Sequence, residues 1–167
     1  MKIKKYIIIA IIIFLFAISF SPQDAILIKG ERKNILVVPY KKHIDFTIEY
    51  THSVEKTSTS ETFRAYSGKE NIVLLSTKFV GQGAGLPSEV DKNFRQQDNY
   101  LIVDHINKDI EKFYIRSSVI AKYNLTINDK VILLYKIFKD GELLEFKNVK
   151  YFRIKTYLLL LYSKFMS

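Results

Sequence analysis

The fold can be read from Lys42-His43-Ile44-Asp45-Phe46-Thr47-Ile48-Glu49-Tyr50-Thr51-His52-Ser53-Val54-Glu55 and the run that follows it, Thr59-Ser60-Glu61-Thr62-Phe63-Arg64-Ala65-Tyr66. Ile44, Phe46, Ile48, Tyr50 and Val54 hold even positions, and Asp45, Thr47, Glu49, Thr51, Ser53 and Glu55 hold odd ones. A period of two belongs to a strand with one packed face and one wet face. His52 falls on the packed face. The second run folds back on the first if the turn centres between Lys56 and Thr57. Tyr50 then faces Phe63 and Ile48 faces Ala65 inside, while Glu49 faces Arg64 and Thr51 faces Thr62 outside. Aromatic, Thr–Thr and opposite-charge pairs are the cross-strand combinations that stabilise a hairpin. A slip of one residue would turn the charged face inward. This register sets His52 opposite Glu61 on the inner face.

Outward from the hairpin, similar short runs recur between turn signals. Upstream are Ala25 to Lys29 and Ile35 to Tyr40, joined by a turn at Gly30-Glu31-Arg32-Lys33-Asn34. Downstream, Ser67-Gly68-Lys69-Glu70 turns the chain into Ile72 to Val80. The glycine segment Gly81 to Pro87 follows, then a polar stretch, Ser88 to Asn99, read as a loop with a short helical turn capped by Ser88. Tyr100 to Asp104, Glu111 to Arg116, Val119 to Leu125 and Val131 to Phe138 continue the β pattern. Asp140-Gly141 reads as a two-residue hairpin turn into Leu143 to Phe146, with Val149 to Ile154 beyond it. The fold expected is all-β, an antiparallel sandwich or partly open barrel of about nine or ten short strands, preceded by an N-terminal hydrophobic helix.

That helix is Tyr6 to Phe20, YIIIAIIIFLFAISF, after a basic start carrying Lys2, Lys4 and Lys5. A charged start before an apolar run is the pattern of a secretory leader. Residues 1–21 are read as a cleaved signal peptide or an uncleaved membrane anchor, 22–155 as one exported β-domain, and 156–167 as a tail forming a strand or short helix. The positive-inside rule leaves the three lysines in the cytoplasm and sends the domain across. The expected location is extracytoplasmic, anchored or secreted, with the membrane as partner through the N-terminal segment.

Composition narrows the chemistry. The 167 residues contain no Cys, which excludes disulfides, thiolate nucleophiles and Cys-ligated zinc. The net charge of +9 is spread among acids with no dense basic run, so nucleic acid is not an expected partner. His52 with Glu61 is either an imidazole oriented by a carboxylate, for base chemistry or metal binding, or a structural pair that neutralises a buried acid. A metal-dependent hydrolase centred on the two residues is the weakest functional reading, and meeting of His43, His52 and His105 at one ion is not expected from their spacing. Gly81-Gln82-Gly83-Ala84-Gly85-Leu86-Pro87 lacks the Lys-Ser/Thr ending of a phosphate loop. Its alternate glycines suit either a nest of N–H groups for a carboxylate or a tight crossover. No cofactor or resident metal is expected, and no catalytic residue is assigned.

Tyr50, His52-Ser53-Val54-Glu55-Lys56-Thr57, Glu61 and Phe63, with Gly83-Ala84-Gly85-Leu86-Pro87 some way downstream, resemble the signature of a prokaryotic family known as domain of unknown function 1850. The resemblance covers Ala25 to about Ile154. It implies a small exported protein of the kind often encoded beside TRAP transporters of the TAXI type, hence an accessory role with a transporter subunit or solute-binding protein as partner. A small-molecule carboxylate or anion binder is the alternative. His52, Ser53, Glu55, Glu61, Gly83, Gly85, Leu86 and Pro87 carry over as signature positions of unassigned role.

Overall fold

The computed structural model describes residues 21–32, 34–52, 56–80 and 94–152, together with Tyr6, Ile7, Ile11, Ile13 and Phe14 of the leader. The strands are β1 (Pro22–Gly30), β2 (Ile35–Tyr40), β3 (His43–Thr51), β4 (Ser58–Tyr66), β5 (Ile72–Val80), β6 (Phe94–Gln97), β7 (Tyr100–Val103), β8 (Lys108–Ile110), β9 (Lys112–Arg116), β10 (Asn124–Ile127), β11 (Lys130–Leu133) and β12 (Leu143–Phe152), with one helical turn, α1 (Leu134–Ile137), before the last. They form two antiparallel sheets. The smaller runs β2-β1-β12-β9, and the larger runs β11-β10-β3-β4-β5-β7-β6 with β8 also on β5. The two sheets do not close on each other, and the sandwich among the expected architectures fits them. The expected N-terminal helix and the 156–167 tail fall largely or wholly outside the described residues. Among these residues no helix is long and apolar enough to cross a membrane.

Alternation drives the packing as anticipated. Ile44, Phe46 and Ile48 of β3 and Phe63 and Ala65 of β4 are buried, while Asp45 and Glu49 are exposed. They meet Ile26 and Ile28 of β1 and Leu144 and Phe146 of β12, so the core lies between the sheets. Four phenylalanines cross it in a stack. Phe46 lies on Phe63 at 5.3 Å between ring centroids, Phe63 on Phe113 at 4.6 Å, and Phe113 on Phe146 at 4.6 Å. The first two belong to the larger sheet and the last two to the smaller. Interplanar angles of 18°, 9° and 12° make each contact a stacked one. Such pairs add about 0.5–1.5 kcal/mol beyond the area they bury.

The hairpin register differs from the one expected. Phe63 faces Phe46, Ile48 faces Glu61, and Tyr50 faces Thr59. The pairing is shifted by four residues from the one expected, and His52 is not opposite Glu61. The sequence invites the slip because Asp45-Phe46-Thr47 and Glu49-Tyr50-Thr51 are near-copies. Either can present an acid to Arg64, a threonine to Thr62 and an aromatic ring to Phe63. The first is used: Arg64 donates from Nε and Nη2 to the two Asp45 oxygens, both at 2.6 Å, and the hydroxyls of Thr47 and Thr62 are 3.2 Å apart. Asp45's carboxyl is held below the usual carboxylate range by its hydrogen bonds with Arg64, against a smaller opposing effect of burial. The offset is even, so every inward residue stays inward, and only contacts across the sandwich discriminate.

Three further expectations change. Val119 to Leu125 is a turn leading into β10, because Ser118 caps it: its hydroxyl accepts from Ile120 and Ala121 N–H at 3.1 Å each. Val131 to Phe138 breaks after Leu133 into α1, whose Leu134 and Phe138 are four apart and both buried. Helical spacing lets one turn bury both. Asp140-Gly141 does form a turn, with Gly141 at φ +77°, but no hairpin, since β11 pairs with β10 and β12 pairs with β1 and β9. The run Leu143 to Phe146 and the described part of the next, Val149 to Phe152, join in the single strand β12, and part of the polar stretch, Phe94–Gln97, is strand β6 on β7. Residues 81–93, including the expected Ser88 cap, lie outside the described residues.

Polar groups staple the two ends. At one, Asn148 of β12 is buried and fully engaged: its amide donates to the carbonyls of Tyr66 (3.1 Å) and Lys69 (2.8 Å) and accepts from the Tyr40 hydroxyl at 2.6 Å. Burial pushes the Tyr40 hydroxyl up to about 12. At the other, the buried Glu142 carboxylate accepts from the Arg32 and Lys139 N–H groups, each at 3.0 Å. Gly30 is required beside it, since an added Cβ would collide with that carboxylate and lie 2.9 Å from Phe138.

Replacing Phe63 by Ala should cost about 3–5 kcal/mol in denaturant unfolding, because it interrupts the stack at the contact between sheets. A double-mutant cycle on Asp45 and Arg64 should return a coupling on the order of 0.2–1 kcal/mol, and one on Glu49 and Arg64 none. The reverse pattern would restore the offset register.

Candidate functional site

The far end of the β3–β4 hairpin gathers what the structure describes of the signature. β3 ends at Thr51, whose N–H donates to the Ala121 carbonyl at 2.8 Å, fastening the hairpin to the turn before β10. His52 follows. Its N–H donates to the Thr57 carbonyl at 2.8 Å and its carbonyl accepts from Lys56 N–H at 2.9 Å, so its main chain closes the loop. Lys56 takes a left-handed conformation to do so, at φ +53°. Ser53 and Glu55 of that loop, and Gly83, Gly85, Leu86 and Pro87, lie outside the described residues.

Glu61 is the residue whose placement matters most. It faces Ile48 on one side and Thr77 of β5 on the other, on the same side of β4 as Thr59, Phe63 and Ala65. A carboxylate on that face loses hydration, and burial pushes its carboxyl above the usual value. Tyr50 lies one step along the same face, and Tyr123 stacks on it at 4.9 Å with an interplanar angle of 26°. Burial, then the nearby Glu61 charge and Tyr123, push the Tyr50 hydroxyl up to about 12, with a hydrogen bond to Thr59 acting the other way. Burial and Glu61 also raise Tyr123. The three side chains thus form one electrostatic unit: a desolvated acid beside two stacked, half-buried phenols. Nearby, Thr57 Oγ1 and Asn124 Oδ1 are buried without a hydrogen-bond partner among the described residues.

The sequence places Glu61 on the correct face, and the structure sets it across the hairpin from Ile48 and not from His52. Its electrostatic partners are tyrosines, and Tyr123 was missed because Val119 to Leu125 read as a strand. The stacking comes from the Thr51–Ala121 bond, which no local pattern announces. The other histidines are elsewhere. His43 begins β3 at its opposite end, about 30 Å from His52 along nine residues of strand. It is exposed, as is His105 in the link between β7 and β8. No ion can be shared by His43 and His52. Among the described residues no group of three or more His, Cys, Asp or Glu side chains is placed to hold a metal.

Chemically, an acid of this kind has two uses. Ionised, it attracts a cation, with aromatic faces adjacent to receive it. Protonated, it donates a hydrogen bond in a site that water reaches poorly.

A family model described as Domain of unknown function (DUF1850) matches residues 46–134, just over half of the chain. The matched segment runs from Phe46 to Leu134 and so spans the hairpin, Glu61 and Tyr123, but of the smaller sheet it includes β9 alone. No curated protein and no solved structure gives a significant match. The chain belongs to the DUF1850 family.

Because Glu61's folded pKa is raised, its contribution to stability is fully present below the ordinary glutamate value of 4.5 and is lost as pH rises through the folded value. Glu61→Gln should therefore gain stability relative to the parent as pH rises from about 4 to 7, read by urea unfolding across that range. A pH-independent difference would place the Glu61 carboxyl in water.

Proposed function

We propose that this member of the DUF1850 family is an exported or membrane-anchored binding domain, an accessory of a TRAP-type solute transport system, and that it engages its partner through the end of the sandwich carrying Tyr50, Glu61 and Tyr123. The observation that carries the reading is Glu61: an inward acid, partly desolvated, beside two tyrosines whose ionisation its charge opposes. A partly buried carboxylate is stabilised by a cation, and a basic side chain supplied by a partner would provide one. Tyrosine is enriched in interfaces because it offers large apolar area with a polar tip. Support also comes from the apolar leader in the sequence and from the genetic company that the family keeps.

A small organic acid as ligand is the second reading. It requires Glu61 protonated, so binding would strengthen as pH falls. Partner binding through a cation has the opposite dependence.

The deciding experiment is co-purification of the detergent-solubilised chain with transporter proteins of the same operon, for the parent, Glu61→Gln and Tyr123→Leu. The parent should retain a transporter subunit or solute-binding protein. Glu61→Gln, which the stability argument expects to fold, should lose at least about tenfold in affinity, as removal of one buried charge from a paired site does. No association by the parent, with unchanged uptake on deletion, would end the proposal. Calorimetry against organic acids, repeated at lower pH, separates the second reading.

A further inference from the structure

We infer that the end of the sandwich opposite Glu61 is a docking surface for an anionic lipid bilayer, which holds the Tyr50–Glu61–Tyr123 end away from the membrane. The inference rests on the reading of the leader as membrane-directed and is independent of which protein the far end binds.

Topology brings the two chain exits together. The chain enters β1 at Pro22 and leaves β12 at Phe152, and these residues are direct partners across the β1–β12 ladder. In the sequence the apolar leader stops at Phe20, and a second apolar run, Tyr157-Leu158-Leu159-Leu160-Leu161-Tyr162, begins five residues after Phe152. Extended chain covers at most about 3.6 Å per residue, so Pro22 lies within about 7 Å of the leader's end and Phe152 within about 18 Å of the second run. Two apolar segments are tethered to adjacent strand ends.

The surface around them suits headgroups. Lys41 and Lys42 lie exposed in the bend between β2 and β3, Lys69 in the β4–β5 turn, and Lys150 near the end of β12. Acids share this end as well. Asp24 is occupied, accepting from the Ser67 hydroxyl at 2.6 Å and Gly68 N–H at 3.2 Å; Glu70 and Glu111 are exposed. Phe152 is 46% exposed beside half-buried Tyr151, an apolar and amphipathic pair at the level where the chain leaves the fold. Lysines near an anionic surface and aromatic rings at headgroup depth are the two components of interfacial attachment. A cleft of about 470 Å³ opens between Lys69, Lys147 and Lys150, with Glu70 and Glu111 on its wall, and offers room for a phosphate group.

The hairpin then sets the distance. His43 is at the bilayer end of β3 and Glu61 is level with Ile48, five residues along, so Glu61 stands about 17 Å beyond the bilayer end of the strand, within reach of a partner that projects from the membrane.

The chain has no cysteine, so single-cysteine labels report unambiguously. The full chain would be reconstituted into phosphatidylcholine vesicles with and without phosphatidylglycerol, carrying a fluorophore at Lys42→Cys or at Lys122→Cys, which is exposed at the far end. With phosphatidylglycerol present, a headgroup-attached quencher should quench the label at 42 several-fold more than that at 122. Lys41→Glu with Lys69→Glu and Lys150→Glu should abolish the difference while the unfolding midpoint stays within a few degrees. Equal quenching at both sites in the parent overturns the inference. So does quenching at 42 that survives charge reversal or needs no anionic lipid, since the apolar tethers alone would then explain it. Loss of co-purification with the transporter, with this quenching pattern intact, removes only the partner reading.

Discussion

The contact of Phe63 on Phe113 joins the two sheets and selects the register of the central hairpin. A hairpin is specified locally by its cross-strand pairs. Here the local pairs are degenerate, because β3 carries acid–aromatic–threonine twice. Phe63 can face Phe46 or Tyr50 with Asp45, Glu49 and Arg64 still outside. Facing Phe46, it continues a stack that reaches Phe113 and Phe146 on the opposing sheet. Close packing between layers thus decides what strand pairing leaves open.

The register has consequences at both ends. It places Glu61 against Ile48 and beside Tyr50, and frees the main chain of His52 to close the loop with Thr57 and Lys56. At the other end it brings the β4–β5 turn within reach of Asp24 and Asn148, which tie it to the smaller sheet. Most polar side chains buried here do structural work of this kind. Asn148 has its three bonds and Glu142 its two. Glu61 differs: burial raises its carboxyl, and its neighbours are phenols whose own ionisation it opposes. That contrast directs attention to Glu61 and away from the better-satisfied acid at position 142.

The family match and the fold divide the chain differently. Residues 46–134 supply nearly all of the larger sheet, while β1, β2 and β12 complete the core from outside the matched segment. Ile26, Ile28, Leu144 and Phe146 are fully buried against the hairpin. The signature face therefore depends for its support on strands that carry no signature. Such a division is natural where one layer presents residues and the other only fills volume, since hydrophobic filling tolerates exchange.

Period-two alternation made the strands, their inward faces and the two-sheet architecture legible, because burial on one face of a pleat constrains every second residue. It also placed Glu61 and Tyr50 inward. Alternation does not distinguish partners four residues apart, so the pairing of Glu61 with Ile48 instead of His52 was not recoverable from it, nor was Tyr123, which arrives through a loop fastened by Ser118 and Thr51. The α1 turn escaped for a related reason: Leu134 and Phe138 are helically spaced, but the run around them is apolar at almost every position and carries no period. By itself the sequence determined which residues are inside, because hydrophobic burial is local in its demand. Only the tertiary structure decided which inside residues meet, because stacking across two sheets compares contacts far apart in the chain.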